Sequence, residues 1–200
     1  MTFKALVESF QDHDHFPILV DDILAWIKNN TDHKDITLHS VKRDNKAFRG
    51  GFRRRAVTKP NSQMYSSEYE IITQIFYGSD LEPQWQRLVI VKEALHVFDG
   101  NGACVDNVEK LRLLIPAIMA KEIQDVPFFP AMNDKFGAYK AMSILLPEKS
   151  RLIMANAVEN GSRTVEEVAN FTKLPETYVD IWLRFGAEIA DAISKLTDIG

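Results

Sequence analysis

The spacing of apolar positions changes along the first half of the chain and marks its elements. From Ile18 to Asn29, the residues Leu19, Ile23, Leu24 and Ile27 recur at helical intervals, and Asp21 and Asp22 suit the positive end of a helix dipole. Asn29-Asn30-Thr31-Asp32 reads as a turn. Ile36 to Val41 alternates apolar and polar, the period of a half-buried strand, and Glu70 to Tyr77 reads as a second strand, ended by Gly78-Ser79-Asp80. Between the two lies a charged stretch, Lys42 to Lys59, with Gly50-Gly51 and Arg53-Arg54-Arg55, expected to form a solvated hairpin or loop. Leu81-Glu82-Pro83 then leads into a helix expected from about Trp85 to Phe98.

The second half reads as helices only. Asn107 to Ile123 has helical spacing with an interruption at Pro116, Pro127 and Pro130 mark an irregular link, and Asp134 to Leu146 is amphipathic until Pro147 stops it. Glu148 to Glu159 is closed by Asn160-Gly161. Thr164-Val165-Glu166-Glu167 opens the next helix with a T-x-x-E capping pattern, and Val168, Phe171 and Leu174 are its expected buried side. After the turn Lys173 to Glu176 comes a last helix, Thr177 to Ala192, carrying Val179, Leu183 and Ile189, with Ile193 just beyond. A helix, short strands and then helices alone make an α+β fold. The expected division is a domain over residues 1–147 followed by a helix-turn-helix-like segment over 148–200, packed on it.

Chemistry concentrates in Lys92-Glu93-Ala94-Leu95-His96. The zinc-protease pattern H-E-x-x-H places two imidazoles on one helix face and a glutamate beside the first as general base. Here Glu93 and His96 stand where that pattern needs them, and Lys92 stands at the first histidine. On an ideal helix Lys92, His96 and Asp99 fall within roughly 60 degrees of one another, with Glu93 at the edge of the same stripe. Such a stripe is expected to face a cleft, because unpaired charge is expensive to bury. An ammonium has three donors and no lone pair, so Lys92 is expected to pair with Glu93, Asp99 or another carboxylate in place of an ion. The alternative is a rearranged metal site built on His96, Asp99 and a distant acid such as Asp134. Read alone, Glu93 and His96 would equally serve as a polar helix edge.

Composition narrows the setting. The chain has 200 residues, 46% hydrophobic and 26% charged, with a net charge of −4, which is ordinary globular composition without a global nucleic-acid signature. No apolar stretch is long enough to span a bilayer, and Met1-Thr2-Phe3-Lys4 lacks the pattern of a secretory signal, so a cytoplasmic protein without membrane contact is expected. The single cysteine, Cys104, offers neither an internal disulfide nor a paired metal motif, and no base partner is recognisable for it.

Several segments, taken in order, resemble the ImmA/IrrE family of zincin-like metallopeptidases. Gln74-Ile75-Phe76-Tyr77 is similar to the strand that precedes that family's active-site helix. Gln86 to His96 is similar to the R-F-x-x-A-H-E-L-x-H helix itself, and Ala141 to Pro147 to its A-x-x-L-L-x-P phrase. Val165 to Phe171, through Trp182-Leu183, resembles its closing helical segment. The resemblance implies a zincin-like core, a small sheet with an active-site-type helix. It further implies Glu93 as the general base, His96 as a zinc ligand and Asp134 as the position nearest the third, acidic ligand. It also implies a repressor-like protein partner in mobile-element or stress-response regulation. Lys92 departs from the pattern, so the expectation is a metallopeptidase homologue that is catalytically impaired, binds no zinc and acts in protein binding or regulation. An active peptidase with non-standard ligands is one alternative, and a DNA-associated regulator is another.

Two further features bear on that last alternative. Lys42, Arg43, Lys46, Arg49, Arg53, Arg54, Arg55 and Lys59 form a local basic region able to meet phosphates, though a solvated surface is favoured. The last helix carries Glu176, Asp180 and the apolar Tyr178, Ile181 and Trp182, which suits packing better than reading a major groove. His13 and His15, beside Asp12 and Asp14, are expected to be solvated.

Overall fold

The structure is a computed structural model that describes residues 2–42, 49–58, 69–99 and 129–197. Its three strands, β1 (Asp35–Val41), β2 (Gly50–Thr58) and β3 (Tyr69–Gly78), form one sheet in the order β1-β3-β2. β3 runs parallel to β1, with Asp35 opposite Ile72 and Val41 opposite Gly78. It runs antiparallel to β2, with Gly50 opposite Tyr77 and Thr58 opposite Tyr69. Within the stretch expected as solvated hairpin or loop, residues 50–58 are a strand paired antiparallel with β3, which agrees with the hairpin and not with the loop. The strand's charged residues are accommodated because side chains alternate between the two faces of the pleat. Phe52 and Arg54 fall on the inner face, level with the buried Ile75 and Thr73, while Arg53 and Arg55 point outward and are exposed.

Seven helices complete an α+β fold among the described residues. The sequence pattern left the first unassigned: α1 (Phe3–Phe10) is capped by Thr2, whose Oγ1 accepts from the Ala5 N–H at 3.3 Å, and it buries Leu6 and Phe10. α2 (Val20–Asn30) buries Ile23, Leu24 and Ile27, while Leu19 precedes it and stays exposed. α3 (Pro83–Ala94) starts with proline, where its missing N–H is no loss, and gives way to a 3₁₀ turn, Leu95–Phe98. α4 (Phe129–Leu145) begins five residues before the expected Asp134 start, with Pro130 tolerated at its first turn. The helix expected over 107–123 and Cys104 lie outside the described residues.

The remaining helices are α5 (Glu148–Glu159), α6 (Val165–Thr172) and α7 (Glu176–Thr197). The capping box at Thr164 forms in full: Thr164 Oγ1 accepts from Glu167 N, and Glu167 Oε2 accepts from Thr164 N. Val168 and Leu174 are buried as expected, but Phe171 is 43% exposed and rests against Phe16 at the surface; Ala169 and Thr172 fill the buried positions instead. These helices share one apolar core with the sheet and α1 to α4, centred on residues such as Ile75, Leu88, Met142, Leu145 and Trp182. Trp182 Nε1 donates to Leu146 O at 2.9 Å. Arg87 on α3 donates to Ile18 O and Lys173 O, tying α3 to the segments before α2 and after α6.

Gly50 sets how closely β2 approaches α3. A Cβ there would overlap Val89 Cγ1 and lie 3.0 Å from Glu93 Cγ and Oε1. Valine is branched at Cβ and stiff at χ1, so it yields less readily than a long flexible side chain. Gly50→Ala is therefore expected to lower unfolding free energy by about 1–3 kcal/mol, read from urea denaturation with an unchanged m-value.

Candidate functional site

α3 ends at Ala94 because the Leu95 N–H is shared among the carbonyls of Val91, Lys92 and Glu93, tightening the next turn. The expected continuous helix to Phe98 is thus two pieces, and His96 lies on the 3₁₀ turn. In 3₁₀ geometry residues three apart eclipse. His96 and Asp99 meet in this way, with His96 Nδ1 2.5 Å from Asp99 Oδ2.

The four ionisable residues form a chain of alternating sign. Lys92 Nζ donates to Glu93 Oε1 at 3.1 Å, Glu93 Oε2 lies 3.6 Å from His96 Nε2, and His96 closes on Asp99. Glu93 is 4% exposed, and the Lys92 and His96 side chains are about one-fifth exposed. Among the described residues, two elements pack over the stripe that is expected to face a cleft. β2 covers it from one side, with Gly50 against Glu93 and the Phe52 ring 5.5 Å from His96. α4 covers it from the other: a Cβ on Gly137 would meet Lys92 Cγ and Cε at 3.1 Å, so the lysine stem lies across a helix position kept bare. An open depression of about 460 Å³ lies nearby, lined by Asn30, His33, Arg54, Ile71, Val97 and Phe98 among others, and includes none of the four.

Burial alone would lower the pKa of His96. The hydrogen bond to Asp99 and the charges of Glu93 and Asp99 outweigh burial and the repulsion of Lys92, and raise it. Lys140, three residues beyond Gly137 on α4, has its pKa lowered by burial, opposed by the charge of Asp99. Sequence reasoning missed Gly137 and Lys140, because the contacts that give them meaning come from a distant helix. It also missed His33, 5% exposed, whose Nδ1 lies 2.6 Å from Thr73 Oγ1; burial and then the Arg54 charge lower its pKa against a smaller upward effect of Asp32.

These residues do not fit a zinc ion. A tetrahedral site needs three or more lone-pair donors converging on one point. Lys92 brings an ammonium to that point, and Glu93 already accepts from it. Asp99 meets His96 at Nδ1, opposite Nε2, so His96 and Asp99 do not converge as two ligands of one ion. Asp134 lies on α4 about one turn before Gly137, and its side chain lies outside the described residues. What the arrangement can do is hold a buried carboxylate between an ammonium and an imidazole.

Two histidines should therefore titrate in opposite directions. His96, with its folded pKa above 6.5, contributes stability that is present below 6.5 and lost as pH rises through the folded value. His33, with its folded pKa below 6.5, contributes stability that is present above 6.5 and lost as pH falls through the folded value. Histidine-ring NMR titration should place His96 above 6.5 and His33 below it. In melts against pH, His96→Gln should remove the alkaline-side loss and His33→Gln the acid-side loss.

The chain matches no protein-family model, no curated protein and no solved structure.

Proposed function

We propose that this chain is a zincin-like protein of ImmA/IrrE type whose metal position has become a metal-free ion-pair chain. It acts by binding a protein partner in a regulatory role, not by cleaving peptides. The observation that carries this reading is the Lys92–Glu93 bond at 3.1 Å, with Glu93 buried and Lys92 laid over Gly137. In a working metallopeptidase of this pattern the glutamate must be free to take a proton from bound water. Here one oxygen of Glu93 accepts from Lys92 and the other faces His96. A dication at that point is replaced by an ammonium and an imidazole whose proton is held more tightly than usual.

Metal analysis of the untagged protein tests the reading. The expected result is no stoichiometric zinc in the native chain and measurable zinc affinity in a folded Lys92→His variant. Stoichiometric zinc in the native chain, lost in His96→Ala, would overturn it and favour an active peptidase with unusual ligands. A second test needs no metal. If Glu93 is a structural ion, Lys92→Met alone should destabilise by about 3 kcal/mol or more, because it strands a buried charge. Adding Glu93→Leu should recover much of that loss, since an apolar pair of similar volume is close to neutral. Equal losses in the single and double variants would refute the structural role of the pair.

A further inference from the structure

The outer face of the sheet carries an arrangement that the ion-pair chain does not use. On β1 and β3, His39 and Phe76 stand opposite each other with ring centroids 5.1 Å apart and planes inclined by only 23°. The histidine ring is held in place: Thr37 Oγ1 lies 3.0 Å and Gln74 Nε2 3.3 Å from its Nε2. Both rings are half-buried, so neither is sealed in a core. On β2 the residue opposite Phe76 is Gly51, which adds no side chain beside the ring, and the residue opposite Gln74 is Arg53. Arg55 follows two positions along, opposite Ile72 on the same face, and both arginines are exposed. Among the described residues the acids of this face, Asp35 and Glu70, lie away from His39, Phe76 and Arg53, at the Arg55 end: Asp35 flanks Ile72 across from Arg55, and Glu70 pairs with Val57.

We infer that this face binds single-stranded nucleic acid. One base stacks on the His39–Phe76 surface, and Arg53 and Arg55 meet the backbone phosphates. Aromatic side chains on an open sheet accept any base by its π-face, while guanidinium groups beside them supply charge complementarity to the backbone. A duplex keeps its bases stacked inside and cannot use the aromatic pair, so single strands are preferred. The basic run is not a single cluster in this role, because the pleat turns Arg54 to the inner face, where its guanidinium carbon lies 5.8 Å from the Phe52 ring.

Fluorescence anisotropy of the full chain with labelled oligo-deoxythymidine and oligo-uridine, at low salt, tests the inference. Binding is expected, weakening with added salt at a log–log slope of roughly −1.4 for two phosphate contacts. Phe76→Leu keeps an apolar side chain in the sheet and should weaken binding about 5-fold or more. The exposed pair Arg53→Gln/Arg55→Gln, which leaves the core untouched, should weaken binding and flatten the salt dependence. Circular dichroism establishes that each variant is folded. Absence of binding by the native chain, unchanged binding by either folded variant, or equal affinity for duplex DNA would overturn the inference.

Discussion

A carboxylate at 4% exposure sets the terms for everything packed around it. Glu93 sits under β2 and beside α4, and taking its charge out of water is unfavourable by several kcal/mol unless cations and hydrogen bonds replace the solvent. Lys92 provides one cation directly and His96 a second at longer range. The backbone makes this possible at two places: Gly50 lets the strand come down on Val89 and Glu93, and Gly137 lets the lysine stem cross α4. A side chain at either position would push one wall away and admit water, and with water the attraction between the charges would weaken.

The chain of charges also explains why the local geometry is linear where a metal site would be convergent. A divalent ion concentrates its charge at a point and gathers ligands around it. Here an ammonium and an imidazole instead alternate with two carboxylates along the chain. His96 shows the difference. Its Nδ1 bond to Asp99 is the kind of contact that orients a metal-bound imidazole through an outer carboxylate. Here the same bond raises the pKa of the ring, and in the protonated form Nε2–H faces Glu93. If His96 is deprotonated, Lys92 is the cation left against Glu93 among the described residues, which is how the titration of one ring becomes a property of the fold.

What the sequence made legible follows the range of the interactions concerned. α5, the Thr164 capping box and the turn at Lys173 were readable because their signals are local: a closing Asn160-Gly161, a hydroxyl with a carboxylate three residues on, and a leucine-proline stop. α1 went unassigned although Leu6 and Phe10 are buried, since a single short helix offers too few turns for its period to stand out. The break between α3 and the 3₁₀ turn was invisible because Leu95 to Phe98 continues the same apolar run in letters while its hydrogen bonds tighten. The Lys92 pairing could be anticipated from charge alone. Its cover could not, because Gly137 and Phe52 reach the site only through tertiary packing.

β2 ties the buried site to the open face of the sheet through its register. Gly50, Phe52 and Arg54 point inward, and Gly51, Arg53 and Arg55 point outward, so adjacent residues in the sequence serve opposite sides of one sheet. Because the side-chain period of a strand is two, a slip of one residue would exchange the two sets entirely. Phe52 would leave His96 for solvent, and Arg53 would arrive beside the His96 ring, adding a third cation to a buried site that already holds Lys92 and His96. The charge of the arginines is therefore itself a register constraint. The outward-facing pair can remain basic only because the closeness of Gly50 to Val89 and the fit of Phe52 against His96 favour one alignment over its neighbour.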